Sequence, residues 1–361
     1  MKNNQIFVKL SGIGLAFFLL ILLGCTKAST PAVTTEHNKH ETTGDVLTLP
    51  AFKALTRNGE PLQVVATTSI IGDVVSQVGR EAIELTTLMA PGEDPHSYEP
   101  GARELTAVAD ADVIFVNGWG LEEALVHDLA EIGSGVPIVP ISARIEPLLF
   151  GANSHDHTEA DHKEADQEEI AHEEAEHEHN HTGADPHVWF SVHHVKKWSE
   201  NVTHVLSELD PDNAETYENN AAAYQEELTA LEMYAVEQLA QIPEEKRFLV
   251  TNHDSLSYFA HEYGFELIGT VIPGASTLTE PSANDLAGLV AEMEAHHLCT
   301  IFTETTVSDT LAQTVAAELS ACDHIQVIKV YTGSIGAAGS GADSYVSMFR
   351  ANVDAIVAGL K

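Results

Sequence analysis

An α/β fold with two parallel-sheet lobes joined by a long helix is what the sequence predicts, on three observations. Short apolar strands alternate with helical segments between residues 63 and 142. One helical stretch then runs from Asp210 to Pro243, about eight turns at 3.6 residues each. After it the strand–helix alternation restarts and continues to the C-terminus. With 361 residues, 44% of them hydrophobic, the chain can bury the cores of two such lobes.

Residues 1–24 stand outside this fold. Two lysines in "MKNNQIFVKL" precede the apolar "IGLAFFLLILLG", which is too short to span a bilayer comfortably and reads as a secretory signal. The signal ends in "LLGC", so Cys25 reads as a lipobox cysteine that is lipid-modified once the signal is removed. The alternative is a plain membrane-anchor helix with an incidental cysteine. Either way the remainder lies outside the cytoplasm; the lipobox reading has it lipid-anchored to the outer face of the cytoplasmic membrane or in the periplasm. Residues 25–61 are rich in Thr, Pro, Ala, Asn and Glu and read mostly as a flexible tether, with His37 and His40 solvated.

The N-terminal lobe spans residues 62–209. Its strands read at "QVVATTSI", "IELTTLM", "DVIFVNG" and "VPIVPIS", with helices over "IIGDVVSQVG", "ARELTAVADA" and "LEEALVHDLAEIG". A histidine-rich loop at 152–184 interrupts the order. "DPHVWFS" resumes it, and a helix follows from about His193 to Leu209. The linking helix occupies 210–242, with Asp210 as N-cap, Pro211 at the first helical position and Pro243 as its stop. The C-terminal lobe, 243–361, carries strands at "RFLVTN", "FELIGTV", "TIFTE" and "IQVIKV" and helices near 255–263, 282–297, 308–321 and 345–360.

The formal net charge is −38, which argues against nucleic acid as a partner and suits a soluble protein that meets cations. The run from His155 to His181 holds eleven carboxylates, one lysine and seven histidines: His155, His157, His162, His172, His177, His179 and His181. Imidazoles at irregular spacing cannot preorganise one geometry. The run therefore reads as a mobile, weak metal collector, with a merely solvated loop as the alternative. Cys299 and Cys322 each precede an apolar run, and if those runs are neighbouring parallel strands a disulfide is geometrically allowed. Two free buried cysteines are the other reading.

Ligands of open parallel sheets bind beyond the carboxyl ends of the strands. Coordinating side chains placed there are His96 in "GEDPHSYEP", His187 in "DPHVWF", His253 in "VTNHDS" and Asp343 in "GSGADSY", two from each lobe. Glu304, ending "IFTE", is a reserve carboxylate or a partner that holds a ligand imidazole from behind. Each has a plainer reading: His96 as a turn residue, His187 as a buried hydrogen-bonded histidine, His253 or Asp343 as a helix cap. His127, His261, His296 and His297 fall in helical segments away from these loops and read as structural or solvent-facing.

From about Val64 to Lys361 the chain resembles the metal-specific solute-binding proteins of ABC importers. The likeness is carried by "GEDPHSYEP", "DPHVWF", "VTNHDSLSYFAHEYGF", "GADSYVSMFRANVD" and the helix start "DPDNAETYENNAAAY". The acidic histidine-rich insertion is typical of the zinc-selective branch. The resemblance implies two (β/α)4-like lobes, a rigid linking helix and one metal in the inter-lobe cleft, with His96, His187, His253 and Asp343 as ligands. It also implies a monomeric receptor that delivers Zn2+ to a membrane permease driven by a cytoplasmic ATPase. Three imidazoles and one carboxylate suit four-coordinate Zn2+, with further weak sites on the histidine-rich loop, whereas a manganese site should hold more oxygen. His253 stands where manganese-selective members tend to carry a carboxylate. The alternatives are a manganese receptor, a metal-binding adhesin and, further off, a zinc hydrolase. No enzyme is expected: four protein ligands leave no open metal position, and the sequence holds no Walker-type glycine loop.

Overall fold

Among the described residues, eight short strands form two four-stranded sheets with the same strand order, β2-β1-β3-β4 and β6-β5-β7-β8. The strands are β1 (Leu62–Ala66), β2 (Ile83–Thr87), β3 (Val113–Val116), β4 (Ile138–Pro140), β5 (Phe248–Thr251), β6 (Glu266–Thr270), β7 (Thr300–Glu304) and β8 (Gln326–Val330). Every pairing within the two sheets is parallel. This computed structural model describes residues 45–150 and 183–361, except 58, 123, 124, 127, 128, 130, 131 and 134. The protein is thus two parallel-sheet α/β lobes, as the alternation of apolar runs requires.

The helices whose ends are described are α1 (Ser69–Gly79), α2 (Ala102–Ala109), α3 (Val192–Leu209), α4 (Ala214–Leu239), α5 (Ser257–Tyr263), α6 (Ala283–Ala295), α7 (Thr310–Glu318) and α8 (Tyr345–Leu360). Leu125, Val126, Leu129 and Ile132 are helical as well, inside the segment expected to be a helix. Central strands are apolar throughout because helices cover both faces: β3 is buried at all of its positions. Thr68 starts α1 by accepting the Ile71 N–H on its side chain, and Ile70, Ile71, Val74, Val75 and Val78 turn inward.

The linking helix departs from expectation at its start. Pro211–Asn213 form a separate 3-10 turn, and α4 begins at Ala214. Asp210 does not cap it. Its carboxylate instead accepts from Asn213 Nδ2 (2.7 Å) and Tyr217 Oη (3.0 Å), so it is spent on side chains before it can reach the first free amides. The inward face of α4 is Tyr217, Ala221, Tyr224, Leu228, Leu231, Ala235 and Leu239, a three–four spacing that keeps one stripe on neighbouring helices. Asn220 donates to the Val78 carbonyl of α1, Lys196 of α3 pairs with Glu232, and Tyr234 bonds Asp354 of α8. α4 therefore touches helices that belong to both sheets.

Residues 45–57 fell within the expected tether. They have no regular secondary structure, yet they are held to the first lobe: Trp119 donates to the Asp45 carbonyl, the Arg144 N–H to Leu47, and Arg57 pairs with Asp112. The signal segment, Cys25, His37, His40, His127 and the run His155–His181 lie outside the described residues. The flanks of that run meet. Leu149 bridges Ala184, the Phe150 N–H donates to Gly183, and the Asp185 N–H donates to Leu148. Cys299 and Cys322 are joined by a disulfide, Cα–Cα 5.8 Å, at the amino ends of the adjacent strands β7 and β8.

Candidate metal centre

In each sheet the order reverses beside the first strand, β1/β3 in one lobe and β5/β7 in the other, where a crevice opens at the carboxyl ends. His253 lies two residues past β5, and Glu304 is the last residue of β7. His96 follows β2. His187 follows β4 across the insertion, just ahead of a short 3-10 turn at Val188–Phe190.

These loops bring three imidazoles to one point. His187 Nε2 is 3.4 Å from His96 Nε2 and 3.2 Å from His253 Nε2. Among the described residues these three histidines form the group whose ligand atoms all lie within 4.8 Å of one another. A tetrahedral ion with metal–nitrogen bonds of about 2.0–2.1 Å needs nitrogens about 3.4 Å apart, which is close to the two spacings made by His187. His187 and His253 are 1% and 2% exposed; His96 is half-buried.

Carboxylates set the ring orientations. Asp185 Oδ1 accepts from the His187 backbone N–H at 2.9 Å and contacts His187 Nδ1 at 2.8 Å. Glu304 Oε1 bonds His253 Nδ1, and Glu304 Oε2 accepts from Thr332 Oγ1. A ring whose Nδ1–H is donated to a carboxylate presents its Nε2 lone pair, so both histidines aim that lone pair at the shared point.

The electrostatics follow from burial. Desolvation, with the neighbouring His187 and His253, drives His96 down to about 3. Burial takes His187 well below its ordinary value and pushes Asp185 up to about 7. The other pair behaves differently. Burial opposes charge on Glu304, but His253 and the hydrogen bonds from His253 and Thr332 outweigh it and hold the carboxyl at about 2. Burial likewise depresses His253, and Glu304 overcomes it, so the imidazole titrates above its usual range. Burial keeps the imidazoles of His96 and His187 neutral, while the buried Glu304 anion backs His253.

Asp343 is not in the histidine group. Its side chain is exposed and accepts the Gly339 N–H at 2.8 Å. Nor does it cap α8: Ser344 does, through a capping box with Ser347. His253 is not a helix cap either, since Leu256 holds that position before α5. His261, His296 and His297 are exposed. Asp185 was not singled out from sequence, although a carboxylate two residues before a candidate ligand in "DPH" was a readable signal. Among the described residues no helix is long and apolar enough to cross a membrane.

Known proteins share this architecture. Residues 64–359 match the family described as zinc-uptake complex component A, periplasmic. The manganese-binding lipoprotein MntA of Halalkalibacterium halodurans is 35% identical over 303 residues, covering 84% of this chain and 90% of that protein. The zinc-binding protein TroA of Treponema pallidum is 32% identical over 314 residues, with 84% and 90% covered. The solved structure of the periplasmic zinc-binding protein TroA superposes with a TM-score of 0.69 at 29% identity, covering 83% of this chain and 99% of its own. The manganese-bound periplasmic metal-binding protein from Candidatus Liberibacter asiaticus gives 0.67 at 26% identity, covering 82% and 99%.

Proposed function

The chain belongs to the zinc-uptake complex component A family, and from that premise we propose that the cation it receives is zinc. It is an extracytoplasmic metal-binding receptor of an ABC importer, not an enzyme, and works with a membrane permease and its ATPase. The observation that carries zinc is the convergence of three imidazoles, with His187 Nε2 at near-tetrahedral spacing from the Nε2 atoms of His96 and His253 and two of the rings oriented by carboxylates. Zn2+ accepts such a nitrogen-rich, four-coordinate set, while Mn2+ sits at the weak end of the divalent series and favours oxygen.

Asp343 completes the set as fourth ligand in this reading. Its exposed side chain gives up one hydrogen bond, from Gly339, to turn inward. Cys25 anchors the receptor to the membrane through lipid, and several relatives are named lipoproteins. His155–His181 gather zinc weakly beside the tight site. Manganese is the second reading. It is favoured by the printed name of the 35%-identical MntA relative.

Competition titration of the purified protein with Zn2+ and Mn2+ tests the assignment. Wild type is expected to hold one zinc tightly and manganese weakly. His253→Glu should weaken zinc and narrow its lead, His253→Ala should weaken zinc without helping manganese, and Asp343→Ala should weaken zinc. Deleting 155–181 should remove weak equivalents and spare the tight one. A wild type that prefers manganese would sink the zinc reading.

A further inference from the structure

His96 belongs to the first lobe by sequence, following β2, yet its loop is fastened by the second. Two clusters of contacts do this. Asp94 Oδ1 accepts the His96 backbone N–H (3.1 Å), while Asp94 Oδ2 accepts from Thr277 Oγ1 (2.6 Å), in the loop after β6. Two residues earlier, the Gly92 N–H donates to Ser334 Oγ (2.7 Å), in the loop after β8.

Ser334 is fully buried, and its hydrogen bonds can be counted. Its hydroxyl donates to the Ile335 carbonyl (2.9 Å), which uses its one proton. The 3.0 Å contact with Ser69 Oγ therefore runs from the Ser69 hydroxyl to Ser334. Ser334 then accepts twice, from Gly92 and Ser69, and Ser69 in turn accepts the Ile335 N–H (3.2 Å). Both bonds that the Ser334 hydroxyl accepts come from the first lobe, so its lone pairs join loops of the two lobes. The fit is also steric. A Cβ added to Gly333 would lie 2.7 Å from Cδ of Pro95, the residue next to His96.

We infer that Thr277 and Ser334 are positioning residues for His96, so that the second lobe holds the first lobe's ligand in place and the cation is released fastest when these contacts break. His187 and His253 have carboxylates behind their rings; His96 is fixed through its backbone, and it is the half-buried member of the three. This inference rests on reading His96 as a ligand.

The test is a double-mutant cycle on cation dissociation into excess chelator, run with the full chain. Thr277→Val should speed zinc release about fivefold, the loss of one ordinary hydrogen bond, and Ser334→Ala, which removes the three bonds of its hydroxyl, should speed it at least as much. Thr277→Ser, which keeps the hydroxyl, should restore the wild-type rate. In a His96→Ala background neither change should have any further effect, because the residue they act through is gone. Gly333→Ala, which crowds Pro95 without touching a hydrogen bond, should also speed release and also fall silent without His96. Equal effects of Thr277→Val with and without His96 overturn the inference, as does an unchanged rate in Thr277→Val and Gly333→Ala alike. A His96→Ala protein with wild-type affinity overturns the ligand reading and this inference with it. A wild type that prefers manganese overturns the zinc assignment alone, and the same cycle is then read with Mn2+.

Discussion

Removing the buried anion behind His253 should weaken the metal centre in two measurable steps. Glu304→Gln preserves shape. Its amide oxygen can still face His253 Nδ1, but the charge is gone. Both side chains are 2% exposed, so water screens little of the difference. A hydrogen bond to a charged group contributes about 1.5–3 kcal/mol against about 0.5–1.5 for a neutral one, a gap of about 1.25 kcal/mol between midpoints. Zinc affinity should therefore fall about tenfold in Glu304→Gln. Glu304→Ala also removes the contact that orients the ring and leaves a buried N–H unpaired. Its loss should reach about 100-fold, the upper end for such supporting partners. Competition against a chromogenic zinc chelator at neutral pH reads both numbers, with the chelator chosen to match the wild-type affinity. Were Glu304→Ala to bind zinc within about twofold of wild type, the ring would not be held from behind by Glu304, and His253 would have to be removed from the ligand set.

Two further outcomes concern stability. Glu122 is buried and bonded to Thr67 Oγ1 (2.6 Å) and the Asn117 N–H (2.8 Å), yet burial raises its carboxyl above the ordinary value. The folded state then holds that proton more tightly than the unfolded state, so stability falls as pH rises through the window from the unfolded value up to the raised one. Glu122→Gln removes this term; urea unfolding should show the variant gaining on wild type as pH rises above the ordinary carboxylate value of about 4, and a constant difference would reject the account. The disulfide closes a segment with a sequence separation of 23, worth about 3 kcal/mol of chain entropy. Cys299→Ser with Cys322→Ser should lower the thermal midpoint and leave zinc affinity unchanged, because the bridge sits at the amino ends of strands whose carboxyl ends face the metal centre. A change in affinity would show that the bridge reaches the site.

Much of this molecule was readable from local pattern. Central strands such as "VIFV" are buried on both faces, so they stand out as unbroken apolar runs, and the stripe on α4 repeats every three to four residues; both are properties of short windows. The three histidines were found by their place after strands, since a parallel sheet presents those loops at one end. The start of the linking helix was misread for a local reason too: Asp–Pro looks like an N-cap, but Tyr217, one helical turn inside α4, takes the carboxylate.

Convergence is another matter. That His96, His187 and His253 meet within 4.8 Å depends on how two separately folded sheets dock, and no window of sequence contains that angle. The same holds for the groups behind them. Glu304 reaches His253 across 51 residues, and Thr277 reaches Asp94 across 183. It holds for Asp343 as well: the motif places it with the ligands, while the tertiary structure turns it outward onto Gly339. Sequence by itself determined the lobes and the linking helix and singled out three histidines that the fold brings together, because burial and backbone preference act over a few residues. The tertiary structure alone decided which nitrogens share a point, which carboxylates aim them and which lobe holds His96, because those depend on contacts between segments that only packing brings together.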